Sequence, residues 1–269
     1  MKYINSLMLA KEIRAQSLRM VTRARASHIA SALSVADIVA VLYANILRYD
    51  CDNPSLACRD RFLLSKGHAC TAVYAALAEL GFFSKKDLES YGDNGSILMN
   101  HISHYVPGVE FSAGALGHLL PVAAGKALFA KKLGEQWKTY VILSDGELNE
   151  GSNWESIIFA AHHKLGNLTA IVDKNNYQSF TTTQETLNMD PLEDKFSSFG
   201  WDVHSVDGHS HVELSSAFLS VNNSVDSPSV VIANTIKGKG VSFMENKVEW
   251  HYRNPSEEQL CDALNEVLS

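Results

Sequence analysis

Two apolar runs, Tyr140-Val141-Ile142-Leu143 and Leu168 to Val172, each end in a turn rich in oxygen donors. Ser144-Asp145-Gly146-Glu147 closes the first and Asp173-Lys174-Asn175-Asn176 closes the second. One helix-length segment separates them, so Asp145 and Asn175 stand thirty positions apart, about the length of one strand–helix–strand unit. Strands joined in this way are parallel, and both turns open at the carboxyl edge of the sheet, where ligands of open α/β sheets bind. A carboxylate and an amide oxygen converging there are hard donors. They suit Mg²⁺ or Ca²⁺ carrying a diphosphate, since Mg²⁺ takes one or two protein oxygens and completes its shell with phosphate and water. Taken singly, Asp-Gly and Asn-Asn are ordinary turn formers that tolerate left-handed backbone. At this spacing after two strands they favour a metal–diphosphate site.

The remaining pattern supports an α/β fold, a parallel sheet with helices on both faces, formed by residues 1–269 as a single unit. Leu7, Ile13, Leu18 and Val21 predict an amphipathic helix over 5–25, and a more apolar one is expected over 34–47. A short strand, Arg61–Leu64, leads into Ser65-Lys66-Gly67-His68 and an alanine-rich helix over 69–80. Ser84 with Asp87, Ser152 with Glu155 and Ser256 with Gln259 read as capping pairs that open helices. Residues 92–118 are dense in Gly, Ser, His and Pro and read as a functional loop, followed by a helix over 119–132. Two further strands are expected over 201–206 and 229–235, with a helix from Ser210 between them. Such alternation calls for a parallel sheet covered on both sides.

Bulk properties exclude more than they assign. With 23 basic and 30 acidic residues, a net charge of −7 argues against a nucleic-acid or anionic-membrane surface. An apolar share of 46% with 20% charged residues is that of a globular chain with a full core. Lys11, Glu12 and Arg14 interrupt the amino-terminal apolar pieces, so no signal peptide is expected, nor any membrane span. Cys51, Cys58, Cys70 and Cys261 show neither Cys-x-x-Cys nor zinc spacing, which fits reduced thiols and a cytoplasmic location.

Three segments then point to a family. Arg61 to Ala69, Ser144-Asp145-Gly146-Glu147-Leu148-Asn149-Glu150-Gly151 and Lys237-Gly238-Lys239-Gly240 to Asn246 resemble the amino-terminal, diphosphate-binding half of transketolase. The match runs in order from about residue 10 to the end, and resembles the small subunit of a split enzyme. The resemblance implies thiamine diphosphate and Mg²⁺ (or Ca²⁺) as cofactors. Asp145 and Asn175 would hold the metal by side chain and Tyr177 by its backbone carbonyl, while Gly146 would let the diphosphate approach closely. His68 and His251 would donate to the diphosphate or the nearby reaction centre, and Gly114-Ala115-Leu116 would line the aminopyrimidine. His28, His101 and His251 match histidines that contact sugar hydroxyls or pass protons, and Glu150 matches an acid that links subunits. His104 competes with His101, and the step to Pro107-Gly108-Val109-Glu110 favours His101. His162, His163, His204, His209 and His211 are assigned to surface helices and turns. Lys237 to Gly240 reads as a loop on the substrate or cofactor side, with a flexible basic turn as its plainer alternative.

Ser144 and His118-Leu119 depart from the usual Gly and Gln-Gly of that family. The carboxylate that would activate the aminopyrimidine belongs to the other half of the enzyme. The expected activity is therefore transfer of a two-carbon ketol unit from a ketose (phosphate) to an aldose, in an α2β2 assembly with a separate carboxyl-terminal subunit. A specialised ketol or acyl transferase subunit of a biosynthetic pathway, a non-catalytic regulatory module, and an unrelated Mg²⁺ phosphohydrolase remain alternatives. This sequence holds no Gly-x-Gly-x-x-Gly and no Walker-type loop, which counts against the last of these.

Overall fold

A computed structural model describes residues 5–221 and 226–269. Five parallel strands form one sheet: β1 (Arg61–Leu64), β2 (Thr139–Ser144), β3 (Leu168–Lys174), β4 (Asp202–Asp207) and β5 (Ser229–Asn234), in the order β1-β2-β3-β5-β4. Nearly every residue of β2, β3 and β5 is buried, the pattern of strands covered on two faces. Helices α4 (Leu119–Leu133), α5 (Gly151–His162) and α7 (Leu192–Ser198) lie on connections running one way across the sheet. Helix α8 (His211–Val221) returns from β4 to β5, and right-handed crossover places it on the opposite face.

Helices α1 (Ser6–Ala24), α2 (Ile29–Val41) and α3 (Cys70–Glu79) pack on one another; α2 reaches α8, and α9 (Glu257–Leu268) lies along α1. The short helix α6 (Thr183–Leu187) follows β3. Helix α2 is the core piece. With its π-helical extension to Ile46 it is long and apolar enough to cross a bilayer, yet 83% of that stretch is buried inside the fold.

Tertiary contacts displace some of the local signals. Helix α2 begins at Ile29, not near Ser34, because His28 takes a left-handed conformation (φ 75°) that turns the chain directly into it. Ser256 and Gln259 form the full reciprocal cap of α9. Ser84 accepts the Lys86 N–H, but what it opens is a 3₁₀ turn over Lys85–Ser90. Ser152 does not cap α5: that helix starts at Gly151, and the Ser152 hydroxyl donates to the Gly117 carbonyl at 2.7 Å. A tertiary acceptor has taken the hydroxyl that sequence spacing gave to the helix. Leu119 is the first helical residue of α4, and the left-handed turn beside it falls on Gly117 (φ 81°).

Candidate functional site

The carboxyl ends of four adjacent strands supply the site: Lys66 and His68 after β1, Asp145 and Gly146 after β2, Asn175 and Tyr177 after β3, and Lys237 after β5. Their floor is a buried polar cluster. Asp173, at the end of β3 and 0% exposed, accepts from Lys66 Nζ, Thr235 Oγ1, Ser34 Oγ (2.7 Å) and Asn175 Nδ2 (3.3 Å). Burial pushes its carboxyl up, but Lys66 and the hydroxyl donors outweigh that and hold it below its ordinary range. Glu147 ties three loops together, accepting from Ser65 Oγ, the Gly117 N–H (2.8 Å) and the Ser144 N–H (3.2 Å). Burial raises its pKa.

Above this floor stand the oxygen donors. β2 and β3 pair with Ser144 opposite Asp173, so the turns carrying Asp145 and Asn175 leave the sheet side by side. Asp145 Oδ1 accepts the Gly146 N–H at 2.8 Å, and Oδ2 accepts the Asn176 N–H at 2.5 Å. The second bond requires the left-handed turn at Asn176 (φ 66°). Burial, then the neighbouring Asp173 carboxylate, push Asp145 up to about 6. Asn175 Oδ1 faces the Tyr177 N–H at 3.1 Å. Backbone approach is close: a Cβ on Gly146 would lie 2.7 Å from Gln178 Cγ, and one on Gly67 would lie 2.2 Å from the Ala113 carbonyl oxygen.

A cleft of about 270 Å³ opens over these donors. Its wall carries a histidine cluster centred on His28, whose ring lies 5.1 Å from His68, 5.9 Å from His101 and 5.0 Å from His251. The His28 N–H donates to the His251 carbonyl at 2.8 Å, which joins α2 to the 3₁₀ turn at Val248–His251. Lys237 is 1% exposed, with Nζ 3.0 Å from the Gln178 carbonyl and 3.0 Å from His251 Nδ1. Burial, reinforced by Lys66, lowers Lys237 to about 8. Burial also lowers His28 to about 4, with His101, Lys237 and Lys66 adding to it, and lowers His251 to about 3, with Lys237 and His28 adding. His68 falls well below its usual value for the same reasons, and His101 is lowered by burial. The imidazoles are thus neutral at pH 7 and able to accept as well as donate a proton.

Most residues singled out from the sequence line this cleft: His28, His68, His101, Gly114, Leu116, Gly146, Asn175, Tyr177 and His251. Asp145 lies beneath them, bonded to Gly146. Ala115 and Glu150 are exposed and stand outside the cleft wall, Glu150 at the start of α5. His104 turns away to Ser112 at 2.7 Å, leaving His101 in the cleft. Lys66, Gln178, Ser179 and Tyr252 also line it, and sequence reading gave none of them a role. Lys66 and Lys237 each closely follow a strand, a signal available in the sequence. His209 and His211 are corrections: both donate to the buried Asp37 rather than facing solvent. Among the described residues, the one grouping of His, Cys or acidic side chains close enough to share an ion is Asp50-Cys51-Asp52, away from this cleft.

The family model described as transketolase, thiamine diphosphate binding domain, matches residues 5–264. The chain belongs to the transketolase family. Among its transketolase relatives, a subunit of the apulose-4-phosphate transketolase of Phocaeicola vulgatus is 39% identical over 254 residues, covering 94% of this chain and 90% of that one. The 6-deoxy-6-sulfo-D-fructose transketolase subunit SqwG of Clostridium sp. (strain MSTE9) is 37% identical, covering 96% and 94%. The solved transketolase of Campylobacter jejuni superposes with a TM-score of 0.93 at 30% identity, over 98% of this chain but 43% of that one. This chain therefore matches subunits of split transketolases along nearly their whole length, and less than half of the single-chain enzyme.

Proposed function

We propose that this chain, a single diphosphate-binding unit over residues 1–269, is the amino-terminal subunit of a two-subunit transketolase. It moves a two-carbon ketol unit from a ketose or ketose phosphate to an aldose. The observation that carries this reading is the meeting of Asp145, Asn175, two buried lysines and four histidines at one sheet edge, in a chain as long as the split relatives. The donor set fits the cofactors. Asp145 is a buried carboxylate raised by burial and by Asp173, a cost that a bound divalent cation would offset, and the Asn175 amide and Tyr177 carbonyl add hard oxygens. Asp145, Asn175 and the Tyr177 carbonyl would hold Mg²⁺; Ca²⁺ meets the same oxygens with a looser shell.

Thiamine diphosphate, when bound, supplies the nucleophilic ring carbon and the electron sink. The chain's own residues bind, orient and move protons. Lys237 and His68 would donate to diphosphate oxygens, and His251 would serve the diphosphate or the nearby reaction centre. His28, His101 and His251, kept neutral, exchange protons with sugar hydroxyls. Gly114, Ala115 and Leu116 edge the aminopyrimidine side, and Glu150 faces outward toward a neighbouring protein chain. A separate carboxyl-terminal subunit completes the site in an α2β2 heterotetramer. Four free cysteines suit a reducing, cytoplasmic setting. Two relatives are named for ketoses bearing an anionic group, which is in keeping with a sugar-phosphate substrate. A non-catalytic module would give no reason to retain this donor set.

Calorimetric titration of thiamine diphosphate into the chain, with and without MgCl₂, tests the reading. Saturable, cation-dependent binding is expected, weakened on the order of a hundredfold by Asp145→Ala or Asn175→Ala with little change in melting temperature. Unchanged uptake in both variants would overturn it.

A further inference from the structure

Resting on that reading of the cleft, we infer that His209 is a positioning residue: seated on Asp37, it sets the Lys237 loop against the diphosphate site. Asp37 lies on α2, is 6% exposed and has no part in the cleft. Its Oδ1 accepts from Arg14 Nη1 (3.1 Å) and His211 Nε2 (3.0 Å), and its Oδ2 from Arg14 Nη2 (2.5 Å) and His209 Nδ1 (2.7 Å). Burial pushes this carboxyl up, but the two histidines and Arg14 win and it stays ionised. His211 is held in turn by Ser6 Oγ at 2.8 Å. The whole assembly is anchored on α1 and α2.

Its free end points at the site. The other nitrogen of His209, Nε2, accepts the backbone N–H of Ile236 at 2.8 Å. An imidazole nitrogen that accepts an N–H carries no proton, so the network assigns the proton to Nδ1, facing Asp37. Ile236 immediately precedes Lys237. Around it the loop is gripped again: Arg14 Nε donates to the Lys239 carbonyl (3.1 Å), and the Gly238 N–H donates to the Ala30 carbonyl (3.0 Å). Gly238 (φ 82°) makes the tight turn between these grips, and a Cβ there would lie 2.6 Å from the Met244 carbonyl. A continuous path thus runs from Asp37 through His209 and Ile236 to a lysine whose ammonium touches the Tyr177 and Gln178 carbonyls. A network that only pinned α1 to α2 would be complete with Arg14 and Asp37. His209 spends its acceptor on the loop instead.

The test compares His209→Ala and His209→Gln in the full chain, by amide hydrogen exchange and by calorimetry with thiamine diphosphate and MgCl₂. Losing one buried hydrogen bond predicts about tenfold faster exchange at 236–240 in His209→Ala and about tenfold weaker binding. The Gln amide carries both a donor and an acceptor, so His209→Gln should restore most of both. Because His209 acts through Lys237, adding His209→Ala to Lys237→Ala should weaken binding no further. Unaltered exchange at 236–240, or losses that simply add, would overturn the inference. Should the wild-type chain take up no cofactor, the functional reading fails while exchange still reports on the loop. Should the Ala variant not fold, His209→Leu, which keeps bulk but neither polar nitrogen, takes its place in both comparisons.

Discussion

The floor of the cleft and its rim are built on opposite terms. On the floor, Asp173, Lys66, Glu147, Ser34, Ser65 and Thr235 are buried and bonded to one another across β1, β2, β3, β5 and α2. Every charge there has a partner within this chain. At the rim, Gly114, Ala115, His101, Glu150 and Tyr252 are exposed, and Leu116 is only partly covered. The difference teaches which half of the site is finished. The floor's charges are matched within this chain, whereas the rim leaves imidazole, backbone and apolar surface exposed.

Breaking the floor should produce the largest effect. Lys66→Met leaves Asp173 as a buried carboxylate without its ammonium, a change that costs about 3–5 kcal/mol of folding stability in comparable pairs. Urea unfolding at pH 7 reads it directly. The double variant Lys66→Met/Asp173→Asn removes both charges, and most of the stability is expected to return while cofactor binding stays impaired. If Lys66→Met alone unfolds at the wild-type midpoint, the floor is not the self-sufficient unit described.

The floor and rim are unequally legible in the sequence. Asp145 and Asn175 can be placed because each follows an apolar run, and parallel pairing carries both turns to one edge. Asp173 reads only as part of a turn, since an acid closing a strand looks the same whether it meets solvent or a buried lysine. Its meaning lies in Lys66, 107 positions away, and no local period reports such a contact. The same holds for Asp37 and His209, 172 positions apart. His209 and His211 read as surface residues because they sit in a short polar stretch at the start of α8, and burial there comes from α2 packing against it. Ser152 shows the converse failure: a good local cap signal lost to a tertiary acceptor. Patterns of strand and helix are readable because they depend on neighbours in sequence. Polar partnerships across the sheet edge are not.

Acidification should reveal the histidine wall as a middle-sized effect. His28 and His251 are lowered to about 4 and about 3 from 6.5, and His68 is lowered too. For a base depressed by folding, the unfolded chain takes up protons first as pH drops below 6.5, so stability falls between that value and the folded pKa. Asp145, raised from 3.8 to about 6, works in the opposite sense over 3.8–6. Lys237, near 8, remains a cation across that range, and Lys66 faces the same cleft. His101 is lowered as well and Glu147 is raised with Asp145, and four histidines against two carboxylates give a net loss. The cofactor-free chain should therefore unfold at lower urea at pH 5 than at pH 7, and His28→Gln should flatten the slope. A stability that is level or rising toward pH 5 would mean the wall is more solvated than its packing implies.

The smallest effect is expected at the rim, and it is the sharpest test of the division. Leu116 is partly exposed and packs against nothing that this chain would lose by truncation, so Leu116→Ala should change stability by about 0.5 kcal/mol or less. In the isolated chain, thiamine diphosphate affinity should hardly move if the proposed diphosphate donors, Lys237 and His68, carry the binding. On the proposed reading the same side chain would wall the aminopyrimidine once a companion subunit is present, and its loss should then lower kcat/KM several-fold. The comparison needs calorimetry on the chain alone and steady-state kinetics on the reconstituted pair. Were Leu116→Ala to weaken binding in the isolated chain as severely as Asp145→Ala, the rim would already be formed without a partner. The case for a site shared between two subunits would then lose its physical basis.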